Sequence, residues 1–337
     1  MALTSRLGFC LGLLSLVVAC SGTGAPGAAS AFEARARRPG HDAVLVLMPD
    51  TEQTRAVLLG LEDELKADFD VVPRRFEHGD GPDGIERALG EVRPKCLVLM
   101  DNPTLKAYRA LQLREPHREF PPAVVVMASF LEEHHQLVRN ATGIAYEVPA
   151  LTLFSNLRGI LANPIKRVGV VYRPPFRGYV ERQGRLALRE SIVTVGVQVP
   201  EEPTPSDVRN AVERLRTEEN IDALWLLNDN GLLSPDLIQG VWMREHLRGR
   251  RVPLVVGAAA LVSNRHDLGT FAMVPDHAAL GVQAASLVFD LSENGWALER
   301  TGIQYPLSTK TVMDLEQVQE NFELTSTALS QLDQIVK

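Results

Sequence analysis

Short runs of uniformly apolar residues alternate with longer amphipathic stretches through most of this chain, and the alternation starts over once. In the first series, residues 43–48 precede a helix-like stretch over 51–69, and a weaker strand beginning at Val71 and Val72 precedes 83–92. Residues 96–100 then precede 104–113, and residues 123–127 precede 131–138. An apolar run without alternation fits a strand buried on both faces, so four strand-helix units predict a parallel sheet covered by helices on both sides. The second series sets 168–172 before a helix over 179–191, 195–199 before 205–218, 223–227 before 235–247, and 253–256 before a short turn region. A second lobe of the same kind is expected.

Between the series, residues 143–150 form a strand that ends in Pro149, and a helix follows over 151–161. Residues 269–275 repeat the arrangement, ending in Pro275 before a helix over 277–292. A run at 303–307, followed by 309–315, supplies a third segment of this kind, and the tail from Glu316 is polar and helical in pattern. These segments predict several crossings between lobes, hence a hinge and a cleft that can close on a ligand. The lobes expected are 42–148 with part of 276–310, and 149–275, leaving 311–337 as a C-terminal segment.

The first residues do not belong to this pattern. Arg6 supplies a positive start, the apolar run 7–19 is too short to span a bilayer, and Leu16-Val17-Val18-Ala19-Cys20 matches a lipoprotein processing site. Residues 1–19 are therefore expected to be a signal peptide, and Cys20 the lipidated first residue of a membrane-anchored, periplasm-facing protein. An ordinary secretory peptide that happens to contain a cysteine is the alternative. Ser21 after the lipidated residue favours the outer membrane over the inner one. Residues 20–41 read as a flexible tether with a reach of about 25 Å, its Arg35, Arg37 and Arg38 either solvated or resting on anionic headgroups.

The full chain of 337 residues has a formal charge of −7, which loss of Arg6 takes to −8, so no nucleic-acid surface is expected. Of three cysteines, Cys10 leaves with the signal, Cys20 carries lipid and Cys96 opens a buried strand, which excludes an intramolecular disulfide in the processed chain.

Ligands of open parallel sheets bind beyond the carboxyl ends of the strands. The residues there are Asp50, then Asp101 and Asn102, then Ser129 and Phe130 in the first series, and Tyr172 and Asn228-Asp229-Asn230 in the second. Helix capping is the competing explanation for Asp50, Thr51, Asp101 and Asn102. Three adjacent amide and carboxylate groups at 228–230 exceed what one cap needs, and so form the leading contact candidate. Phe130, Tyr146 and Tyr172 could stack on a ring or an aliphatic chain.

Catalytic signatures are absent. Gly79-Asp80-Gly81-Pro82-Asp83-Gly84 fits the letters of a phosphate loop, but follows the second strand and places two carboxylates where a phosphate would approach. His134 and His135 are adjacent and cannot share a metal from one helix face, Glu132 and Glu133 read as a solvated face, and His266-Asp267 has no nucleophile beside it. No enzyme activity, catalytic residue, metal or cofactor is expected.

The stretches 124–129, 140–144, 166–172, 221–225, 252–255 and 276–281, in that order and spacing, resemble the ABC-transporter substrate-binding lipoproteins of the type I periplasmic-binding-protein class. The resemblance covers most of residues 120–295; residues 70–120 match it poorly, and Phe130-Leu131-Glu132 stands where many relatives turn directly. It implies an α/β fold of two doubly wound lobes joined by a multi-strand hinge. It also implies a monomeric, non-catalytic receptor that captures a small-molecule ligand and delivers it to an ABC permease, with Asp50, Asp101, Asn102, Ser129, Tyr172, Asn228 and Asp229 as contacts by strand-end position. The alternative is an outer-membrane lipoprotein of the same fold that regulates a cell-envelope enzyme and transports nothing.

Overall fold

In a computed structural model, residues 32, 37–77, 79–134, 138–243, 252–262, 268–298 and 302–336 are described. Residues 1–19, expected to be a signal peptide, and Cys20, His135, His266 and Asp267 lie outside them, as does the side chain of His134.

Two sheets carry the chain. The first contains β1(Asp42–Met48), β2(Phe69–Arg75), β3(Cys96–Met100), β4(Ala123–Val126), β5(Ala141–Ile144) and β11(Ile303–Gln304), all parallel, in the spatial order β2-β1-β3-β4-β5-β11. The second contains β6(Arg167–Tyr172), β7(Val193–Gln198), β8(Ala223–Leu226), β9(Leu254–Val256), β10(Phe271–Pro275), β12(Thr309–Asp314) and β13(Gln334–Val336), in the order β7-β6-β8-β9-β10-β12-β13. Only the pairing of β10 with β12 is antiparallel.

The unbroken apolar runs follow from this layering. Along β1, Val44, Val46 and Met48 pack into one core beneath α1(Glu52–Leu65), while Ala43, Leu45 and Leu47 pack into a second beneath α2(Gly81–Val92) and α3(Asn102–Arg114). Successive side chains point to opposite faces, so a strand covered on both sides must be apolar at every position. Pro73, which cannot donate to a ladder, sits in β2 at the edge of its sheet. In the second lobe Val168 and Val170 face α5(Ala150–Ile160) and α6(Arg177–Ala187), and Val171 faces α7(Pro205–Thr217).

The lobes trade elements. A long helix, α9(His277–Glu293), follows a strand of the second sheet yet buries Leu280, Ala284, Leu287, Val288 and Leu291 in the first lobe against α1. The two helices touch backbone to backbone: a Cβ on Gly281 would lie 2.1 Å from the Val57 carbonyl oxygen, and one on Gly60 would lie 2.1 Å from that of Ala278.

The chain therefore passes between lobes three times, from β5 to α5, from β10 to α9, and from β11 to β12. The passages are bonded to one another. Ala145 N donates to Gln304 O at 2.8 Å, Asp276 N donates to Ser308 O at 3.0 Å, and the Tyr146 hydroxyl meets His277 Nε2 at 3.2 Å. The Gln283 amide donates to Tyr305 O and accepts from Leu307 N, fixing the third passage to α9.

Two segments differ from expectation. In the tail, α-helix covers only Leu315–Asn321, as α10, and a short 3-10 helix covers Ala328–Gln331; Glu323 and Thr325 bond alongside the end of α5 and the chain adds β13 to the sheet, because Val318, Phe322, Leu324 and Leu332 are apolar enough to join the second-lobe core. At the other end, Arg38 is paired with Asp70 at 2.8 Å and donates to Phe69 O, while Arg37 donates to Val92 O. These two arginines are held on the protein rather than free for headgroups.

Gly281→Ala is expected to lower unfolding stability by about 1–3 kcal/mol, because a helix pair already in backbone contact must separate. Urea denaturation of the variant with an unchanged midpoint would contradict this packing.

Candidate functional site

Each sheet reverses direction at the same place. In the first, β2 and β3 flank β1; in the second, β7 and β8 flank β6. Connections leaving a central strand in opposite directions open a crevice at its carboxyl end. Asp50, Asp101 and Asn102 lie at the first crevice, and Tyr172, Arg173, Asn228 and Asp229 at the second.

Most of these side chains are committed within the protein. Asp50 pairs with Arg55 at 2.6 Å, an ion pair that holds its carboxyl below the usual carboxylate range, and the cap of α1 is Thr51, which exchanges hydrogen bonds with Thr54. Asp101 caps α3 by accepting from Thr104 N at 2.8 Å, and its φ of +118° is a strained value for a residue with a side chain. Asn102 begins α3 with a buried Oδ1 that has no partner.

In the second lobe, Asp229 is 2% exposed and takes Arg173 Nε at 2.6 Å and Nη2 at 2.5 Å, with Gly231 N at 3.0 Å. A Cβ on Gly231 would lie 2.3 Å from Arg173 Cζ, so the glycine is what lets the guanidinium lie there. Asn228 donates to Gly257 O at 3.1 Å, and Asn230 is exposed. Tyr172 lies over Gly196 of the neighbouring edge strand. The triplet 228–230 thus divides into three environments, and its aspartate serves an internal ion pair.

The lobes meet at Phe130. Met127 and Phe130 both have positive φ, 58° and 55°, in the turn after β4, and Ser129 lies between them. Such values are held only where surroundings enforce them, and they concentrate at functional sites. The turn carries Phe130 out of its own lobe into the second-lobe core, where its ring lies 4.4 Å from Phe176 and 5.0 Å, edge to face, from Tyr179. Its backbone N donates to Glu147 Oε2 at 2.9 Å.

Beside Phe130 lies an interlobe cavity of about 20 Å³, lined among others by Glu147, Tyr179, Trp225, Asn228 and Gly257. That volume admits about one water. Two oxygens of its lining residues are buried without a partner, Glu147 Oε1 and the Tyr179 hydroxyl. Burial, reinforced by the nearby Glu132 carboxylate, pushes the Glu147 carboxyl up to about 7 against its backbone hydrogen bonds, and burial raises the Tyr179 phenol well above its ordinary value. A larger hollow, about 450 Å³ between Ile165, Asp222, Pro253 and Phe322, sits at the amino ends of β6, β8 and β9, away from both crevices.

A latch closes the lobes next to this cavity. Arg182 of α6 bonds to Glu133 and lies 3.5 Å from Glu132, both on α4(Leu131–His134), and the Tyr305 hydroxyl donates to Glu132 at 2.6 Å. Glu132 and Glu133 are therefore not the solvated face that the sequence suggests; their side chains are 21% and 23% exposed and pair across lobes. Glu147, Tyr179, Trp225 and Arg182 also escape a strand-end search. Glu147 carries the one available signal, a carboxylate in the apolar run before Pro149. The stretch 79–84 is a helix entrance, with Asp80 accepting from Glu77 N and Gly81 at positive φ. Among the described residues, no group of acidic, cysteine or histidine side chains could hold a metal, and no helix is long and apolar enough to cross a membrane.

Two of the solved structures most similar to this one cover 88% of the chain. One is the ligand-free, open structure of a substrate-binding protein with adhesive properties from Clostridium difficile, at TM-score 0.63 and 13% identity over 99% of that chain. The other is an ABC domain in complex with L-Trp from Streptococcus pneumonia, at TM-score 0.58 and 16% identity over all of that chain. An arabinose-binding protein from Geobacillus stearothermophilus matches at TM-score 0.51 and 14% identity, over 84% of this chain and 99% of its own. The chain has the type I periplasmic-binding-protein fold. No protein-family model matches it, and no curated protein matches it.

Within that fold, removal of Asp229 leaves the half-buried guanidinium of Arg173 and the Gly231 N–H without their shared acceptor. Asp229→Ala is expected to cost about 1.5–3 kcal/mol in denaturant unfolding, and a cost below about 0.5 kcal/mol would show that the pair is not structural. Glu147 gives a pH signature. Its carboxyl is raised in the folded state, so the stability it contributes is full below its unfolded value near 4.5 and is lost as pH rises through about 7. Glu147→Gln keeps an acceptor for Phe130 N. It is expected to be more stable than wild type at pH 8 by on the order of 2 kcal/mol, with the gap closing toward pH 4.5; a gap independent of pH would contradict the burial of this carboxyl.

Proposed function

We propose that this protein is an extracytoplasmic solute-binding lipoprotein, anchored through Cys20, whose lobes close on a small ligand and present it to an ABC permease. The observation that carries the reading is the interlobe cavity. It lies at the carboxyl end of β8, beside the second switch point, its lining includes two buried oxygens without partners, and the lobes around it are joined by three bonded passages, an arrangement suited to rigid-body opening and closing. The likeness to substrate-binding proteins supports a binding role over an enzymatic one. The apolar run 7–19 ending at Cys20 supports placement in the envelope, and Ser21 favours the outer membrane.

One observation favours a second reading. Phe130 fills the space between lobes so fully that about 20 Å³ remains, as befits an envelope scaffold that uses the fold to regulate a cell-wall enzyme and binds no solute.

A chain beginning at Arg37, which keeps the bonds of Arg37 and Arg38 to the first lobe, separates the two in a thermal-shift screen of polar and apolar solutes. The receptor reading expects at least one solute to raise the melting temperature by several degrees, as binding at about 100 times Kd would. Absence of any shift, together with co-purification of a cell-wall enzyme in place of a permease and its ATPase, would establish the scaffold.

A further inference from the structure

The chemistry of the cavity wall narrows what can enter it. Glu147 Oε1 is an acceptor when ionised, and the Tyr179 hydroxyl can accept while its hydrogen turns elsewhere. Both are buried and without partners, and Tyr179 is 2% exposed. Around them stand aromatic rings whose faces carry negative charge density: Tyr179 lies 6.0 Å from Trp225, and Phe176 and Tyr179 enclose the ring of Phe130. The cations beside these groups are already paired: Arg182 with Glu133 and Glu132, the latter also receiving the Tyr305 hydroxyl, and Arg173, 5.7 Å from the Phe176 ring, with Asp229. The surroundings of Glu147 therefore hold acceptors, carboxylates and ring faces. A protonated nitrogen satisfies all three, by hydrogen bonding, by charge and by cation–π attraction.

The ring of Phe130 marks where the rest of the ligand goes. It is an apolar body lent by the other lobe, held by a backbone at φ 55° and packed among Phe176 and Tyr179. A turn held in a left-handed conformation gives up little when it lets go.

Resting on the solute-receptor reading, we infer that the ligand is a small organic ammonium with an apolar body about the size of a ring. Its N–H groups bond to Glu147 Oε1 and the Tyr179 hydroxyl, and its body takes the place of the Phe130 side chain. The titratable groups around Glu147 are Glu132 on α4, Tyr146 beside it in the chain and Tyr179 on α6, and Arg182 and Tyr305 act in turn on Tyr179.

Three probes with one body and different heads test this on the full chain in detergent: 2-phenylethylammonium, 2-phenylethanol and 3-phenylpropionate, by isothermal titration calorimetry. The ammonium is expected to bind about tenfold or more tighter than the alcohol, and the acid not at all. Glu147→Gln is expected to erase the preference for the ammonium, Tyr179→Phe to weaken ammonium binding several-fold, and Phe130→Ala to tighten the ammonium and the alcohol alike. Affinity for the ammonium is expected to rise with pH through about 7, as Glu147 loses its proton, while that for the alcohol stays level. Equal binding of the three heads, or a preference that survives Glu147→Gln, would overturn the inference. Silence from all three, in the native chain and in Phe130→Leu, which retains a core side chain should Phe130→Ala not fold, would also overturn it. A thermal shift from an uncharged or anionic solute in the broader screen would then show that the receptor reading stands without this ligand class.

Discussion

The seating of Phe130 in the core of the opposite lobe is the interaction on which the rest of the structure turns. One aromatic side chain, placed by a turn with two left-handed residues, joins two lobes that are otherwise connected by three narrow passages and by the ion pairs of Arg182 with Glu132 and Glu133. Its burial removes Glu147 and Tyr179 from bulk solvent, which makes an orphaned carboxylate oxygen and an orphaned phenol costly. Take the ring away and the same two groups would be ordinary solvated side chains.

The surrounding architecture makes that joint reversible. Elements swapped between lobes, α9 into the first and α5 into the second, lock each lobe into one body, with Gly60 and Gly281 allowing the closest helix contact. The passages bond to one another, so bending can concentrate there. Among the described residues, Phe130 and the partly exposed, individually weak ion pairs of Arg182 with α4 stand against this. On the proposed reading, a closed state secured by one buried ring and a partly solvated latch exchanges with an open one at modest cost.

The fold was legible because its dominant signal is crude and repeated. A strand covered on both faces must be apolar throughout, and runs such as 43–48, 96–100 and 123–126 cannot serve as anything else. Strand-end positions were legible too, since topology fixes where crevices open. What those positions do was not. Asp229 and Asp50 carry the residue types a ligand site needs, yet their partners Arg173 and Arg55 are equally visible in sequence and give no sign of the pairing until distance is known. Glu132 and Glu133 read as solvent-facing because a four-residue helix has no periodicity to show that Arg182, 49 residues from Glu133 in the chain, lies against it. Glu147 is marked in sequence only as a carboxylate in an apolar run and Tyr179 is unmarked in a polar helix, so it is their burial without partners that singles them out.

The central claim, that the lobes move about the three passages and close over a guest, is tested most directly by double electron–electron resonance. Spin labels at the exposed Leu113 of the first lobe and Leu188 of the second, in a chain beginning at Arg37 whose one remaining cysteine, Cys96, is buried, report the interlobe distance. The account expects two distances in the free protein, with Arg182→Ala enriching the open one and a bound solute enriching the closed one. A single distance, unmoved by either, would mean that the lobes form one rigid body and that Phe130 is a fixed part of its core.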